Sequence, residues 1–288
     1  FMEVSSHALV QRRVGDLRFK VAVFTNLTHD HLDYHSNMEE YFEAKTLLFR
    51  NYLRSDGKAV ILDMVESENE AESSWQGKLV SYLKHDNKEY ILCGTRNGCD
   101  VKLVNYQVDL KGTEVEFILK QKRFDFFSVL IGKFNVENLL VTLGVLGATG
   151  IEIEMALQSL GDCKGAPGRL ERVASKEDED RPDIFVDYAH TPDALKQVLK
   201  VLKEIPHRDL YCVFGCGGDR DATKRPLMGG IVSEIATVSI VTNDNPRTEN
   251  PEKIIDQIME GSLKNGMSLH DSDWLLNRKK GENGCIVI

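Results

Sequence analysis

Residues 26–49 read N-L-T-H-D-H-L-D-Y-H-S-N-M-E-E-Y-F-E-A-K-T-L-L-F, with three histidines and two aspartates directly before a predicted helix. Ser36 and Glu39 have the spacing of a capping box, which predicts the start of that helix. Apolar side chains then recur at steps of three and four, and this spacing predicts a buried stripe of Met38, Tyr41, Phe42, Leu48, Phe49 and Tyr52.

Lys45 lies within this apolar stripe. A buried ammonium without a partner is costly, or it gives up its proton. Two interpretations follow from periodicity alone. In the first, the stem packs and the amine reaches water. In the second, the amine serves the polar cluster before the helix as a ligand, a phosphate contact or a modified group.

Composition is that of an ordinary soluble globular protein, with 288 residues, 42% hydrophobic and 28% charged, enough for two medium domains or one large one. The net charge of −9 argues against non-specific binding to nucleic acid or to an anionic membrane. No apolar run approaches the ~20 residues of a transmembrane helix. Six cysteines without a C-x-x-C pair predict free thiols, and a cytoplasmic location is expected.

The first half of the chain predicts a mostly parallel sheet. Strands are predicted at 1–4, 16–26, 58–64 and 91–93, and a helix is predicted from Ala8. Alternation over 101–129 around Lys111 and Gly112 predicts an antiparallel hairpin, with a small second sheet as one option. Helices are predicted at 134–148 and 151–160. The strand-like ends predict that the chain is a piece of a longer protein.

Glycine and proline concentrate at 161–168, which predicts a boundary between domains 1–166 and 167–288. After it, strands at 184–187, 210–214, 238–242 and 285–288 alternate with helices at 191–202, 226–236 and 250–263. This order predicts a doubly wound, Rossmann-like sheet. The predicted fold class is therefore α/β in both domains.

Polar residues follow three of these strands, as D-Y-A-H at 187–190, G-C-G-G-D-R-D at 215–221 with Lys224 and Arg225, and D-N-P-R at 244–247. Each could be only a cap or a turn. Since the carboxyl ends of parallel strands meet at one edge, together they predict a ligand site. Two arginines and a lysine beside aspartates indicate a zwitterionic or phosphorylated ligand, and Arg247 can hold a carboxylate with two hydrogen bonds.

In the first domain Glu3, His31 and Lys45 are predicted to meet, and a carboxylate with an imidazole suits a divalent cation such as magnesium. His7, His29 and His35 are predicted to cap, pack or face solvent. A histidine-rich zinc hydrolase is the alternative. Against it, no H-x-x-x-H or H-E-x-x-H pair lies on a predicted helix.

Eight segments together resemble one family: 3–14, 23–35, 41–49, 132–140, 166–171, 187–195, 214–228 and 244–249. In this order the chain is similar to the Mur ligases, ATP-dependent amide-forming enzymes of peptidoglycan precursor synthesis. The resemblance is strongest to the members that add the third residue of the stem peptide. It implies a central ATP-binding domain at 1–166 and an amino-acid-binding domain at 167–288.

The resemblance also implies roles for individual residues. Glu3, His31 and Lys45 would bind Mg²⁺, with Lys45 carbamylated. The UDP-muramoyl dipeptide would contact Ser5, Gln11 and Arg13. The family's positions around ATP correspond to Asn135, Asn138, Arg169 and Asp187. Its amino-acid pocket corresponds to Arg220, Asp244, Asn245, Pro246 and Arg247. In this family D-N-P-R goes with meso-diaminopimelate, whose second carboxylate the arginine can hold. The implied partners are these small molecules, and a monomer is expected.

The chain departs from the family at several points. No G-x-x-x-x-G-K-[ST] phosphate loop occurs, and the family's N-terminal domain and its G-K-G-H-E-like segment are missing. Residues 271–284 are atypical, which puts a helix there in doubt. The chain alone is predicted to be inactive or nearly so. A folylpolyglutamate-synthetase-like ligase and a non-catalytic remnant that binds one ligand weakly remain as alternatives.

Overall fold

The computed structural model describes residues 1–28, 34–65, 67–173 and 182–288. The chain divides into two compact units, Phe1–Cys163 and Lys164–Ile288, and the division lies in the glycine- and proline-containing segment 161–168. The assignment of 1–166 and 167–288 to the family's two domains stays a prediction.

The first unit is built on a six-stranded sheet in the order β1-β2-β3-β4-β5-β6. Its strands are β1 (Phe19–Phe24), β2 (Leu53–Asp63), β3 (Glu89–Gly94), β4 (Val101–Asp109), β5 (Gly112–Leu119) and β6 (Lys122–Ser128). The pairs from β1 to β4 are parallel, and β4, β5 and β6 are antiparallel. The predicted hairpin is therefore confirmed, and β4 joins it to the parallel strands within one sheet.

Helices of the first unit are α1 (Ser6–Val10), α2 (Met38–Leu47), α3 (Glu68–Ser73), α4 (Trp75–His85), α5 (Lys133–Thr149) and α6 (Ile153–Gly161). A π-helical turn, Leu48–Tyr52, continues α2 into β2. The sheet is covered on both faces. Val60 of β2 belongs to the core that includes α5, whereas Ile61 belongs to the core that includes α2 and α4. Burial on both faces explains why β2 has a continuous apolar run.

Three sequence predictions for this unit need correction. Residues 1–5 form no strand, and the first helix begins at Ser6 and not at Ala8. The α2 cap is Asn37, whose side chain accepts the Glu40 N–H at 2.9 Å. Glu40 in turn accepts the backbone N–H of Ser36 at 2.9 Å, which lowers the pKa of its carboxyl. The N-cap therefore lies one residue later than predicted, because Asn37 is itself a strong N-cap, and the return bond of Glu40 goes to the residue before the cap.

The second unit has a parallel sheet in the order β11-β10-β9, built from β9 (Tyr211–Phe214), β10 (Val238–Val241) and β11 (Gly284–Val287). Its helices are α7 (Pro192–Glu204), α8 (Lys224–Ile235), α9 (Pro251–Lys264) and α10 (Ser272–Asn277). Apolar side chains of α7, α8 and α9 pack with this sheet in one core. The alternation of strands and helices predicted for this half is confirmed.

Two predictions for the second unit are wrong in detail. The strand predicted at 184–187 is β8 (Phe185–Val186), and it pairs antiparallel with β7 (Glu171–Arg172) instead of joining the parallel sheet. The doubtful segment 271–284 does contain a helix, α10, which is capped by Asp271. Arg278 fixes the end of α10, because its guanidinium pairs with Asp209 and bonds the Tyr211 hydroxyl at 2.7 Å.

Among the described residues, no helix has the length and apolar character needed to cross a membrane.

Candidate active site

The residues predicted to contact a muramoyl substrate lie at the two ends of α1. The Ser5 hydroxyl accepts the Ala8 N–H at 3.2 Å and so caps the helix. Gln11 is the C-cap residue, and Arg13 follows it. The side chains of Ser5, Gln11 and Arg13 are all exposed. The short helix therefore presents three polar side chains that a ligand can reach.

His35 connects α1 to α2. Its side chain is buried, with Nε2 2.9 Å from the Ser6 hydroxyl, and its ring stacks on Tyr41 at 5.1 Å. The ring of His7 lies 4.1 Å from that of Tyr34 and 5.6 Å from that of His35. His7 and His35 therefore pack against neighbouring rings, which is one of the three arrangements predicted for them, while His29 lies outside the described residues.

Lys45 occupies a half-buried position on α2, between buried Ala44 and Thr46. Its ammonium stands 5.1 Å from the centre of the Tyr41 ring. A cation over an aromatic face is stabilised by the ring quadrupole. The lysine of the apolar stripe therefore lies next to the same ring that stacks on His35.

The predicted magnesium ligands are only partly described. Glu3 is exposed in the segment before α1, Lys45 lies on α2, and His31 lies outside the described residues. Within the described ranges no group of three or more His, Cys, Asp or Glu side chains is placed to hold a metal ion. The donor chemistry still suits a hard cation, since a carboxylate, an imidazole and a carbamate on Lys45 would offer mostly oxygen.

Asn135 and Asn138 lie in the first turns of α5. This helix follows Gly132, whose φ of 102° favours glycine. The Asn135 side-chain amide donates to the Ile131 carbonyl at 2.9 Å, whereas Asn138 is exposed. Between them Glu137 is half-buried, and loss of hydration raises the pKa of its carboxyl. Asn138 is therefore the more accessible of the two predicted nucleotide contacts.

Asp187 shapes the loop that carries Arg169. Its two carboxylate oxygens accept the backbone N–H groups of Leu170 at 2.7 Å and Ala189 at 2.8 Å. The exposed Arg169 guanidinium lies 5.2 Å from the centre of the Tyr188 ring. Both carboxylate oxygens of Asp187 are thus bonded to backbone N–H groups of the loop. Arg169 is the exposed cation of this loop.

The G-C-G-G loop after β9 and the D-N-P-R loop after β10 pack backbone against backbone. A Cβ on Gly215 would lie 2.4 Å from the Thr242 carbonyl oxygen, and one on Gly218 would lie 1.9 Å from that of Pro246. The Gly218 N–H donates to the Asn245 carbonyl at 2.9 Å. Only glycine fits this approach, which is why the two loops meet at the carboxyl edge of the sheet.

Arg247 closes over the glycine loop. Its Nη1 donates to the Gly218 carbonyl at 2.5 Å, and its own φ is +50°. Most of the predicted amino-acid pocket, namely Arg220, Asp244, Asn245 and Arg247, is exposed on these two loops, and Pro246 is half-buried. The structure therefore places this predicted group of residues on two loops that pack against each other.

Arg225 has a different role from the one its sequence context predicted. It is only 1% exposed, and its two Nη atoms meet the Glu249 carboxylate at 2.7 and 2.8 Å. Nη1 also donates to Gln257 Oε1 at 2.6 Å, and Nη2 donates to the Gly217 carbonyl at 3.3 Å. Arg225 is thus an internal ion-pair partner and not an exposed ligand contact.

Sequence reasoning missed Glu249 as a site residue. The Arg225 guanidinium, and then the Asp219 N–H, hold the pKa of its carboxyl at about 2. The Asp219 N–H donates to Glu249 Oε1 at 2.5 Å, and the Asp219 carboxylate accepts the Thr248 hydroxyl at 2.7 Å. The available signal was an acidic residue two positions after Arg247.

Comparison with known proteins shows similarity along nearly the whole chain. Residues 1–146 match the model of the Mur ligase middle domain, and residues 168–282 match that of the Mur ligase glutamate ligase domain. A relative from Gloeobacter violaceus, named UDP-N-acetylmuramoyl-L-alanyl-D-glutamate–2,6-diaminopimelate ligase, is 44% identical over 90% of this chain and 50% of its own. A relative of the same name from Synechocystis is 42% identical over 96% of this chain and 51% of its own. The chain spans about half the length of these curated relatives.

Solved structures agree with this similarity. A structure that bears the same ligase name has a TM-score of 0.64 and 33% identity, covering 99% of this chain and 57% of its own. The Mycobacterium tuberculosis folylpolyglutamate synthase, complexed with ADP and AMPPCP, has a TM-score of 0.67 at 19% identity, covering 93% and 61%. The second likeness shows a shared fold only.

Proposed function

Because the chain belongs to the Mur ligase family, we propose that it forms the middle and C-terminal domains of an ATP-dependent ligase. This ligase joins meso-diaminopimelate to UDP-N-acetylmuramoyl-L-alanyl-D-glutamate in peptidoglycan synthesis. The observation that carries the proposal is the 44% identity over 90% of the chain to a relative with that name. The domains are assigned to residues 1–166 and 167–288.

The amino acid is proposed to bind at the two packed loops of the second unit. Arg247 is an exposed residue that uses one guanidinium nitrogen on the Gly218 carbonyl, and Arg220 adds a second exposed cation. Diaminopimelate has a carboxylate at each end, and a planar guanidinium can hold one of them with two parallel hydrogen bonds. Lysine lacks the second carboxylate and would leave Arg247 without that partner.

The nucleotide contacts proposed in the first unit are Asn135 and Asn138, and the one proposed in the second unit, taken by itself, is Arg169. Asp187 supports Arg169 indirectly, because its oxygens hold the loop that carries the arginine. Ser5, Gln11 and Arg13 are the proposed contacts of the UDP-muramoyl dipeptide, and their side chains are exposed. These groups bind and orient the reactants, which supplies much of the catalysis expected for such a transfer.

Glu3, His31 and Lys45 are the proposed magnesium ligands. Carbon dioxide would add to the neutral amine of Lys45 with loss of a proton, which gives a carbamate whose oxygens suit the ion. Lys45 is half-buried on α2, and its amine lies 5.1 Å from the centre of the Tyr41 ring. Magnesium held there would neutralise charge on the transferring phosphoryl group.

The proposed reaction has two steps. The terminal carboxylate of the dipeptide takes the γ-phosphoryl group of ATP, which gives an acyl phosphate and ADP. An amine of diaminopimelate then attacks the acyl carbon, and phosphate leaves from the tetrahedral intermediate. Cations near the developing negative charge lower both barriers.

The test is a ligation assay with ATP, the UDP-muramoyl dipeptide and meso-diaminopimelate. It is run on the 288-residue chain and on a fusion that places around it the parts of the Gloeobacter violaceus relative that precede and follow the matched region. The expected result is an ATP-dependent UDP-muramoyl tripeptide from the fusion and little or none from the chain. Hydrolysis of substrate without ATP, or no tripeptide from the fusion, would contradict the proposal.

A further inference from the structure

We propose that Arg225 and Glu249 are positioning residues, an ion pair that holds Arg247 in the orientation in which it receives an amino-acid carboxylate. This inference rests on the proposed function. Arg225 reaches three separate elements: the glycine loop at Gly217, the end of the D-N-P-R loop at Glu249, and α9 at Gln257. One buried side chain therefore connects the segments that surround the proposed pocket.

The Arg225–Glu249 ion pair is connected to Arg247 in two ways, through the glycine loop and through the chain between Arg247 and Glu249. Arg225 and Arg247 donate to the adjacent carbonyls of Gly217 and Gly218, at 3.3 and 2.5 Å. Glu249 lies two residues after Arg247, so its position limits where the arginine can lie. A shift of either partner therefore moves both the base of the Arg247 side chain and the carbonyl on which the guanidinium rests.

Backbone conformation gives a second, independent reason. Asp219 and Arg247 both have left-handed φ angles, +53° and +50°. Such angles are unfavourable for residues other than glycine and persist only where the surroundings impose them. The imposing contacts are the bonds from the Asp219 N–H to Glu249 and from the Thr248 hydroxyl to Asp219.

Arg225 acts through Arg247, because a side chain that is 1% exposed does not reach a ligand. Its loss should therefore change recognition of the amino acid more than turnover. A displaced Arg247 would lose the bidentate geometry on a carboxylate, whereas a substrate without that carboxylate would lose little. The pair thus contributes to selectivity for a diacid over lysine.

The first experiment measures amide hydrogen exchange on the 288-residue chain. In Arg225→Lys and Glu249→Gln, the Gly218 and Asp219 amides are expected to exchange about tenfold faster or more. Arg278→Lys is the matched control, because Arg278 and Asp209 form a buried pair in the same unit, at 4% and 3% exposure, away from these loops. Equal acceleration in the control, or none in the pair variants, would overturn the proposal.

The second experiment uses the fusion that tests the proposed function. Arg225→Lys and Glu249→Gln are expected to raise KM for diaminopimelate about tenfold with less than about threefold change in kcat. Glu249→Ala should be worse than Glu249→Gln, which keeps one acceptor. A fall in kcat at unchanged KM would reject positioning. If the unsubstituted fusion makes no tripeptide, the proposed function fails and the carboxylate role fails with it, while hydrogen exchange still decides whether the pair orders the loops.

Discussion

The guanidinium of Arg247 donates a 2.5 Å hydrogen bond to the carbonyl of Gly218, from a residue whose φ is +50°. An arginine carries five N–H donors in a rigid planar fork, so this bond uses only part of its capacity. The side chain is thereby held at one atom, and Arg247 is an exposed residue at the carboxyl edge of the sheet. A carboxylate arriving there would find a receptor that is already oriented.

Arg247→Ala in the fusion is expected to lower kcat/KM for meso-diaminopimelate about 100-fold, because a charge-assisted bidentate contact is lost. Turnover of lysine should change by less than about threefold, since lysine has no second carboxylate. Parallel ligation assays with the two amino acids measure the ratio. Arg208→Ala, at an exposed arginine of the same unit, is the control and should leave the ratio unchanged. Equal losses for both amino acids would remove Arg247 from the selectivity argument.

Two glycines of α5, three residues apart, should respond in opposite directions to alanine. A Cβ on Gly144 would lie 2.5 Å from Cys93 Sγ and 2.8 Å from a methyl group of Val60, whereas the nearest atom to a Cβ on Gly147 is 4.0 Å away. Gly144→Ala is therefore expected to destabilise the first unit by about 1–3 kcal/mol. Gly147→Ala should stabilise it by about 0.5–1 kcal/mol, because alanine favours the helix.

Urea unfolding of the first unit, followed by Trp75 fluorescence in a Trp274→Phe background, measures both changes. The two tryptophans lie in different units, so each reports on its own. Destabilisation by both alanines to the same extent would mean that close contact at Gly144 is not the cause.

Much of the fold followed from the sequence, since periodicity and turn residues are local signals. The strand at 58–64, the hairpin around Gly112 and the helix at 134–148 are all present. The predictions that were wrong concerned contacts with residues distant in the chain. The segment 184–187 has the composition of a strand, but pairing with Glu171 and Arg172 placed it in a two-stranded sheet. Composition cannot choose between such partners.

In the candidate site, too, local signals were predicted from the sequence and contacts between distant residues were not. Spacing located the G-C-G-G and D-N-P-R loops, because both follow strands of a parallel sheet. It did not distinguish Arg220, which is exposed, from Arg225, which is buried against Glu249. Only the fold places a carboxylate 24 residues away in the chain beside that guanidinium.

Substitutions in the Arg278–Asp209 ion pair test how much this pair stabilises the second unit at the end of α10. The two side chains are 4% and 3% exposed, and the Arg278 hydrogen bond lowers the pKa of the Asp209 carboxyl. Arg278→Met would leave a buried carboxylate without its main partner, and a loss of about 3–5 kcal/mol is expected for the second unit. Arg278→Met with Asp209→Leu should recover most of it, since an apolar pair can replace a buried ion pair.

Trp274 fluorescence in a Trp75→Phe background follows this unfolding, because Trp274 lies 5.8 Å from the Arg278 guanidinium. Arg208→Met is the control, as the 70% exposed Arg208 also faces Asp209 and should contribute only about 0–1 kcal/mol. A double variant no more stable than Arg278→Met would contradict the pairing argument.

Substitutions of Lys45 can distinguish a role in packing from a role as a carbamylated metal ligand. Lys45→Arg keeps a cation that can lie over the Tyr41 ring but offers no amine for a carbamate. Ligation by the fusion is therefore expected to fall at least about 100-fold in both Lys45→Arg and Lys45→Ala. Short carboxylates such as formate should restore part of the activity of Lys45→Ala. A carbamate carbon signal should appear with ¹³C-labelled bicarbonate only when Lys45 is present, and full activity of Lys45→Ala would refute the role.

Glu249 gives a pH prediction with a defined sign. Arg225, and then the Asp219 N–H, lower the pKa of its carboxyl from 4.5 to about 2 in the folded protein. The unfolded chain therefore binds this proton more readily. The resulting stabilisation is fully present above pH 4.5 and is lost as pH falls from 4.5 towards 2.

Glu249→Gln cannot titrate, so the difference in unfolding free energy between it and the unsubstituted chain isolates this carboxyl. We expect that difference to be constant between about pH 5 and pH 7 and to shrink steadily down to about pH 3. Urea unfolding followed by Trp274 fluorescence measures it. Glu154→Gln is the control, followed by Trp75 fluorescence because Glu154 lies in the first unit; the exposed Glu154 pairs with exposed Lys122 and should give a smaller dependence. A difference that stays constant down to pH 3 would mean that the Glu249 carboxylate is not what Arg225 stabilises.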